Sequence, residues 1–260
     1  MLRLRFRIND IFLLYYALSH PELLKSKRWD QEIKKIRQSS PHGYDAIAKN
    51  LDWSWRSALA EANSPKDSSI WLNKVTKESE AIFKHGLGAP EFKKIREETQ
   101  VHLQEVQMEW DKESSKALKI LEDIIRMPLP SKTIEVLMVH PKLRGGFHLA
   151  GHNPKIVWGH KEEWPKYHIV YLCHELLHIL FNPDNDINQE ILHALIELAT
   201  DNELRIRLHG KGRYFYVGKK YIGHDYLKPF VKNIFPAWKR YLSNKKINLK
   251  ELAKKLTTKK

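Results

Sequence analysis

The chain opens on a strict alternation. From Leu2 to Ile8, Leu-Arg-Leu-Arg-Phe-Arg-Ile sets apolar against basic residues at every step. A period of two belongs to a strand with one face buried, so a first strand is expected at residues 2–8. From residue 10 to residue 126 the apolar period lengthens to that of helices. Breaks are expected where Pro, Gly and Ser cluster: Ser19-His20-Pro21, Ser39 to Gly43, Asn63-Ser64-Pro65 and Gly86 to Pro90. The last helix of this region is long. Phe92, Ile95, Thr99, Leu103, Val106, Trp110, Ala117, Leu121 and Ile124 recur mostly at steps of three and four, which makes one apolar stripe to be packed in a core.

The texture changes at Pro128-Leu129-Pro130. Thr133 to Val139 is rich in β-branched residues and reads as a strand. Turn signals at Gly145-Gly146 and Gly151 to Pro154 bracket two short strands, near Phe147–Ala150 and Lys155–Trp158. The helical period returns at Glu163 and runs to about Phe181. A loop is expected at Asn182 to Asp186, then a second helix from about Ile187 to Leu208. A tyrosine segment punctuated by glycine, Gly210 to Gly223, leads to a last helical stretch from Asp225. Two regions follow from this pattern: residues 1–128, mainly helical behind the first strand, and residues 129–260. The first strand is free to join the sheet of the second region.

Composition narrows the class. A hydrophobic fraction of 42% with 8 Trp is that of a chain with a core, not of a disordered one. A single Cys excludes an internal disulfide framework and points to a reducing compartment. The apolar run Ile11 to Leu18 lacks a cleavage signal and is too short to span a bilayer. A cytoplasmic protein without a membrane partner is therefore expected. The net charge of +14 and pI near 9.6 are compatible with a nucleic-acid partner. No nucleic-acid motif accompanies the charge, so a lysine-rich solvated surface is the favoured reading.

The chemistry lies at His174-Glu175-Leu176-Leu177-His178, an H-E-x-x-H motif in an apolar helix. Positions i and i+4 share a helix face, so both imidazoles can reach one metal ion. Glu175 is then next to the metal without being one of its ligands, where a carboxylate can take a proton from water. Eighteen residues, Ile179 to Ile196, separate His178 from Glu197-Leu-Ala-Thr-Asp201, an E-x-x-x-D motif. A helix, a tight loop and an antiparallel helix of this length return Glu197 to His174 and His178. Asp201, one turn on, is placed to fix the tautomer of a ligand histidine.

This pair of motifs resembles the gluzincin metallopeptidases, the thermolysin and aminopeptidase N type. The resemblance implies an α+β zincin-like catalytic domain at 129–260, a small mixed sheet with an edge strand plus active-site helices. It implies one zinc per chain held by His174, His178 and Glu197, with Glu175 as general base and acid and Asp201 as partner of His174. It also implies a Tyr or His downstream of Glu197 to stabilise the oxyanion, for which His224 and Tyr221 are the favoured residues. An extended peptide would pair with the edge strand, expected at Pro154–Gly159. The exopeptidase motif of aminopeptidases has no match here, so an endopeptidase acting on a peptide or protein substrate is expected. Two alternatives remain at this level: a basic nucleic-acid-associated protein with a zincin-like metal site, and a non-proteolytic regulator or toxin of zincin fold.

Overall fold

The computed structural model describes residues 2–49, 52–69, 76–181, 186–244 and 246–258. Most of the expected loop at Asn182 to Asp186 therefore lies outside the described residues. By contact the chain groups into two compact units, one of Leu4–Gln107 and Ile134–Lys161, the other of Met1–Arg3, Met108–Thr133 and Glu162–Lys260. The boundary expected at 128/129 falls inside the second unit. The physical reason is strand pairing, since strands within residues 133–158 complete a sheet begun by residues 3–7.

In the first unit β1 (Arg3–Arg7) leads into α1 (Asp10–Ser19), α2 (Pro21–Leu24), α3 (Lys27–Ser39), α4 (Pro41–Ala48), α5 (Trp53–Glu61), α6 (Pro65–Ser69) and α7 (Thr76–Gly88). The next helix, α8 (Pro90–Ile125), gives its first half to this unit and its second half to the other. Ile11 to Leu18 are all buried, and α1 packs on α4, α5 and α7. A helix apolar on every side belongs at the centre of a core. Its start is fixed by Asn9, whose side chain accepts from the Phe12 N–H at 3.0 Å and donates to the carbonyls of Ala60 and Ala62.

Three further strands, β2 (Thr133–Met138), β3 (Gly146–Leu149) and β4 (Lys155–Trp158), join β1 in the order β1-β2-β4-β3. The first strand thus shares the sheet, as its alternation allowed. β2 and β4 run parallel with Val136 opposite Ile156, and β3 runs antiparallel to β4 with Phe147 opposite Val157. The segment Pro154–Gly159, expected at the edge, is instead interior. All four residues of β4 are buried, as a strand covered on both faces requires, and β3 forms the edge. Lys155 is tolerated inside because its ammonium lies 2.8 Å from both Glu135 and Glu61.

The second unit takes the C-terminal half of α8 and then α9 (Tyr167–Leu180), α10 (Gln189–Glu197), a π-helical turn (Leu198–Leu204) and α11 (Arg205–His209). A small hairpin, β5 (Tyr216–Val217) and β6 (Lys220–Tyr221), precedes α12 (Lys228–Ser243) and α13 (Leu249–Thr257). α10 packs on α9, α12 and α13, and the π turn packs on α9. Every residue of the apolar stripe on α8 is buried. That helix stops at Arg126, which takes a left-handed φ of 56°. Its guanidinium donates to the carbonyls of Tyr241, Asn244 and Ile247 and stacks 4.0 Å over the Tyr241 ring. One residue thus ends α8 and caps α12. The protein is α+β and predominantly helical, and no described helix is long and apolar enough to cross a membrane.

Candidate metal centre

The centre is built on α9. Ile169, Val170, Leu172, Leu176 and Leu177 bury this helix, and His174 is only 2% exposed with Glu175 beside it at 8%. His174 and His178 share a face, as i and i+4 must, and their Nε2 atoms lie 3.2 Å apart. The other nitrogen of His174, Nδ1, is 3.0 Å from Oδ1 of Asp201. Thr200 holds that carboxylate oxygen from 3.0 Å with its hydroxyl. An ionised Asp201 makes Nδ1 the protonated nitrogen and turns the Nε2 lone pair toward His178. Burial alone pushes the His174 imidazole down. The Asp201 charge and hydrogen bond, with Glu175 and Glu197, outweigh burial and raise it to about 9. Two ring nitrogens held at zinc distances of about 2.0–2.1 Å in a tetrahedron stand roughly 3.3 Å apart. The histidine pair therefore fits such an ion, which replaces a proton at this position.

Glu197 ends α10 and is 2% exposed. Its Oε1 accepts from both the backbone N–H and Nδ1 of His224, each at 2.6 Å. Gly223 makes this approach feasible. A Cβ there would lie 2.7 Å from Oε2 of Glu197, and the φ of 98° is one that favours glycine. The π turn anchors the segment that brings Gly223 and His224 in. Asn202 donates to the Glu197 carbonyl at 2.9 Å and accepts from the Phe215 N–H at 2.6 Å. Buried Arg205 joins the carbonyls of Asp201 and Arg213, at 2.7 and 2.6 Å. A π turn spaces its hydrogen bonds one residue wider than an α-helix. Here Asp201 meets His174 while Glu197 meets His224.

Two sets of three donors converge, each within 4.8 Å of one another: His174, His178 and His193, and His193, Glu197 and His224. His193 belongs to both. Among the described residues the expected trio of His174, His178 and Glu197 is not itself such a set, because the Glu197 carboxylate faces His224. The two motifs leave His193 unassigned. Its signal was its place four residues before Glu197, on the same face of α10. Tyr226 is a second residue that the motifs did not single out. Its hydroxyl lies 3.0 Å from Nδ1 of His193, and its ring is 5.5 Å from that of His224. His224 is half exposed at the mouth of the centre. The ring of Tyr221 instead packs under the Lys228 ammonium, 4.1 Å away, and against Tyr216. Burial, then the nearby charge of Glu197, pushes its hydroxyl up to about 12. Cys173 faces away from the ligands, and burial lifts its thiol to about 12.

Set against known proteins, the chain matches no protein family, no curated protein and no solved structure.

Proposed function

We propose that the protein is a zinc-dependent peptidase that cleaves peptide bonds with Glu175 as general base. The observation that carries this reading is the histidine pair: two Nε2 atoms 3.2 Å apart on a buried helix, with the far nitrogen of one held by a buried carboxylate. A purely structural pair of core histidines has no need of Glu175 between them. In this reading His174 and His178 hold the ion together with Glu197, whose carboxylate here engages His224, and His193 lies beside them. Asp201 fixes the His174 ring and keeps it basic. Zinc, when bound, polarises the scissile carbonyl and acidifies the attacking water. Glu175 accepts the water's proton and delivers it to the leaving amine. His224 donates to the oxyanion, with Tyr226 taking the part expected of Tyr221.

The test is metal content by mass spectrometry together with hydrolysis of a fluorogenic peptide library. Wild-type protein is expected to hold about one zinc per chain. Glu175→Gln keeps the zinc and loses hydrolysis by a factor of about 10² or more. Asp201→Asn weakens zinc binding by about 10–100-fold. A Glu197→Ala protein that retains its zinc, or a Glu175→Gln protein as active as its parent, sinks the reading.

A further inference from the structure

The net positive charge of this chain is confined to one end. Residues 204–260 carry 17 Lys and Arg against two acids, Asp225 and Glu251, whereas the preceding 203 residues carry 28 against 29. The whole excess therefore belongs to α11, the hairpin, α12, α13 and the segments joining and following them, all in one compact unit. Some of these cations are already matched. Arg207 pairs with Glu203 and Asp123, Lys220 with Glu163, and Lys228 with Asp225. Lys211, Arg213, Lys219, Lys232, Lys239 and Arg240 are exposed.

The layout along α12 is directional. At 3.6 residues per turn, Lys228, Lys232 and Lys239 fall within about 40° of one line and span about 16 Å. Val231, Ile234, Trp238 and Tyr241 occupy the far side and are buried. In the hairpin, Arg213 lies over the ring of Tyr216, which is 40% exposed. We infer that this basic end is a docking surface for nucleic acid, engaged through the phosphate backbone without regard to sequence. Thirteen of the 17 cations are lysines. These are flexible point charges suited to phosphates rather than a set of forked donors for base edges. A lipid surface is the weaker match. Binding in a bilayer interface needs an apolar helix face to insert, and those of α12 and α13 are already buried in the protein.

The test is fluorescence anisotropy of the full-length protein with a 20-base-pair DNA duplex of arbitrary sequence across a salt series. Six phosphate contacts at a slope of about −0.9 each give a fall in affinity of roughly 10³-fold between 50 and 200 mM salt. The triple variant Lys219→Gln, Lys232→Gln, Lys239→Gln should flatten the slope by about 2.7. A control with the same charge change on exposed lysines of the other unit, Lys27→Gln, Lys34→Gln, Lys77→Gln, should leave the slope near that of wild type. Circular dichroism verifies that both variants are folded. Glu175→Gln should bind the duplex like its parent, so this inference stands or falls apart from the peptidase reading. It is overturned by absence of duplex binding at 50 mM salt, by equal slopes in the two triple variants, or by binding to phosphatidylserine vesicles without binding to DNA.

Discussion

Glu109 lies half-buried on α8, with Glu113 one turn on and Glu162 near. Burial first, then these two carboxylates, raise its carboxyl to about 7 in spite of Lys166. The ordinary value is 4.5. The folded protein therefore keeps a proton that the unfolded chain releases between those two values. Stability is full below pH 4.5 and is lost as pH rises through 7. The shift alone would be worth about 3 kcal/mol, and half-exposure screens it to roughly 1 kcal/mol. Glu109→Gln should match wild type in urea melts near pH 4.5 and exceed it by about that amount at pH 8. Equal pH profiles for the two proteins refute the assignment. At this scale the sequence was most legible where fixed spacing dictates contact. His174 and His178 meet because a helix repeats at four residues, and Asp201 meets His174 within the E-x-x-x-D spacing. Gly223 and Tyr226 were not legible, since their partners Glu197 and His193 lie 26 and 33 positions away across a loop of irregular backbone.

Among the elements, the strands and helices were readable where one period ran long enough. The stripe on α8 named nine residues, and all nine are buried. The edge of the sheet was not readable, because strand order is set by pairing partners and not by the strand's own residues. Ile156-Val157-Trp158 carried the sign of an interior strand, a continuous apolar run, and the turn signals around it said nothing of neighbours. The π turn was equally hidden, since its wider hydrogen bonds leave no mark in hydrophobic period. Helix ends were partly legible through Pro and Ser, but Arg126 was not. Its guanidinium reaches the carbonyls of Tyr241, Asn244 and Ile247, at and just beyond the end of α12, from 115 to 121 residues away in sequence. Hydrogen bonds from a charged donor contribute about 1.5–3 kcal/mol, and a cation at a helix C-terminus adds to this. Arg126→Ala should therefore lower the unfolding free energy by about 2–3 kcal/mol in urea melts, and Arg126→Lys should recover only part of it. A loss under 0.5 kcal/mol for Arg126→Ala contradicts the capping role.

The whole molecule separates two kinds of core. The unit of Leu4–Gln107 and Ile134–Lys161 closes on itself through α1 and the sheet, with its buried ammonium and carboxylates paired. The other unit gathers five buried polar or charged residues of the candidate centre, His174, Glu175, Glu197, Thr200 and Asp201. Charged groups at such depth cost stability unless they are paired or bind a cation. In the absence of metal, Asp201 is balanced by a protonated His174, and Glu197 leans on His224. On the proposed reading, zinc would favour the folded form by about 2.7 kcal/mol at a free concentration 100 times its dissociation constant. The ion would join α9 to α10, and through Glu197, Asn202 and Arg205 to the hairpin. Hydrogen exchange followed by mass spectrometry should therefore respond unevenly to zinc. Amides of 167–181 and 189–224 should slow on zinc addition and recover their original rates with a chelator. Amides of residues 10–48, in the other unit, should exchange at unchanged rates. Uniform slowing along the chain would indicate weak binding at scattered surface sites. No slowing in α9 at saturating zinc would mean that His174 and His178 are core histidines, with His174 held by Asp201.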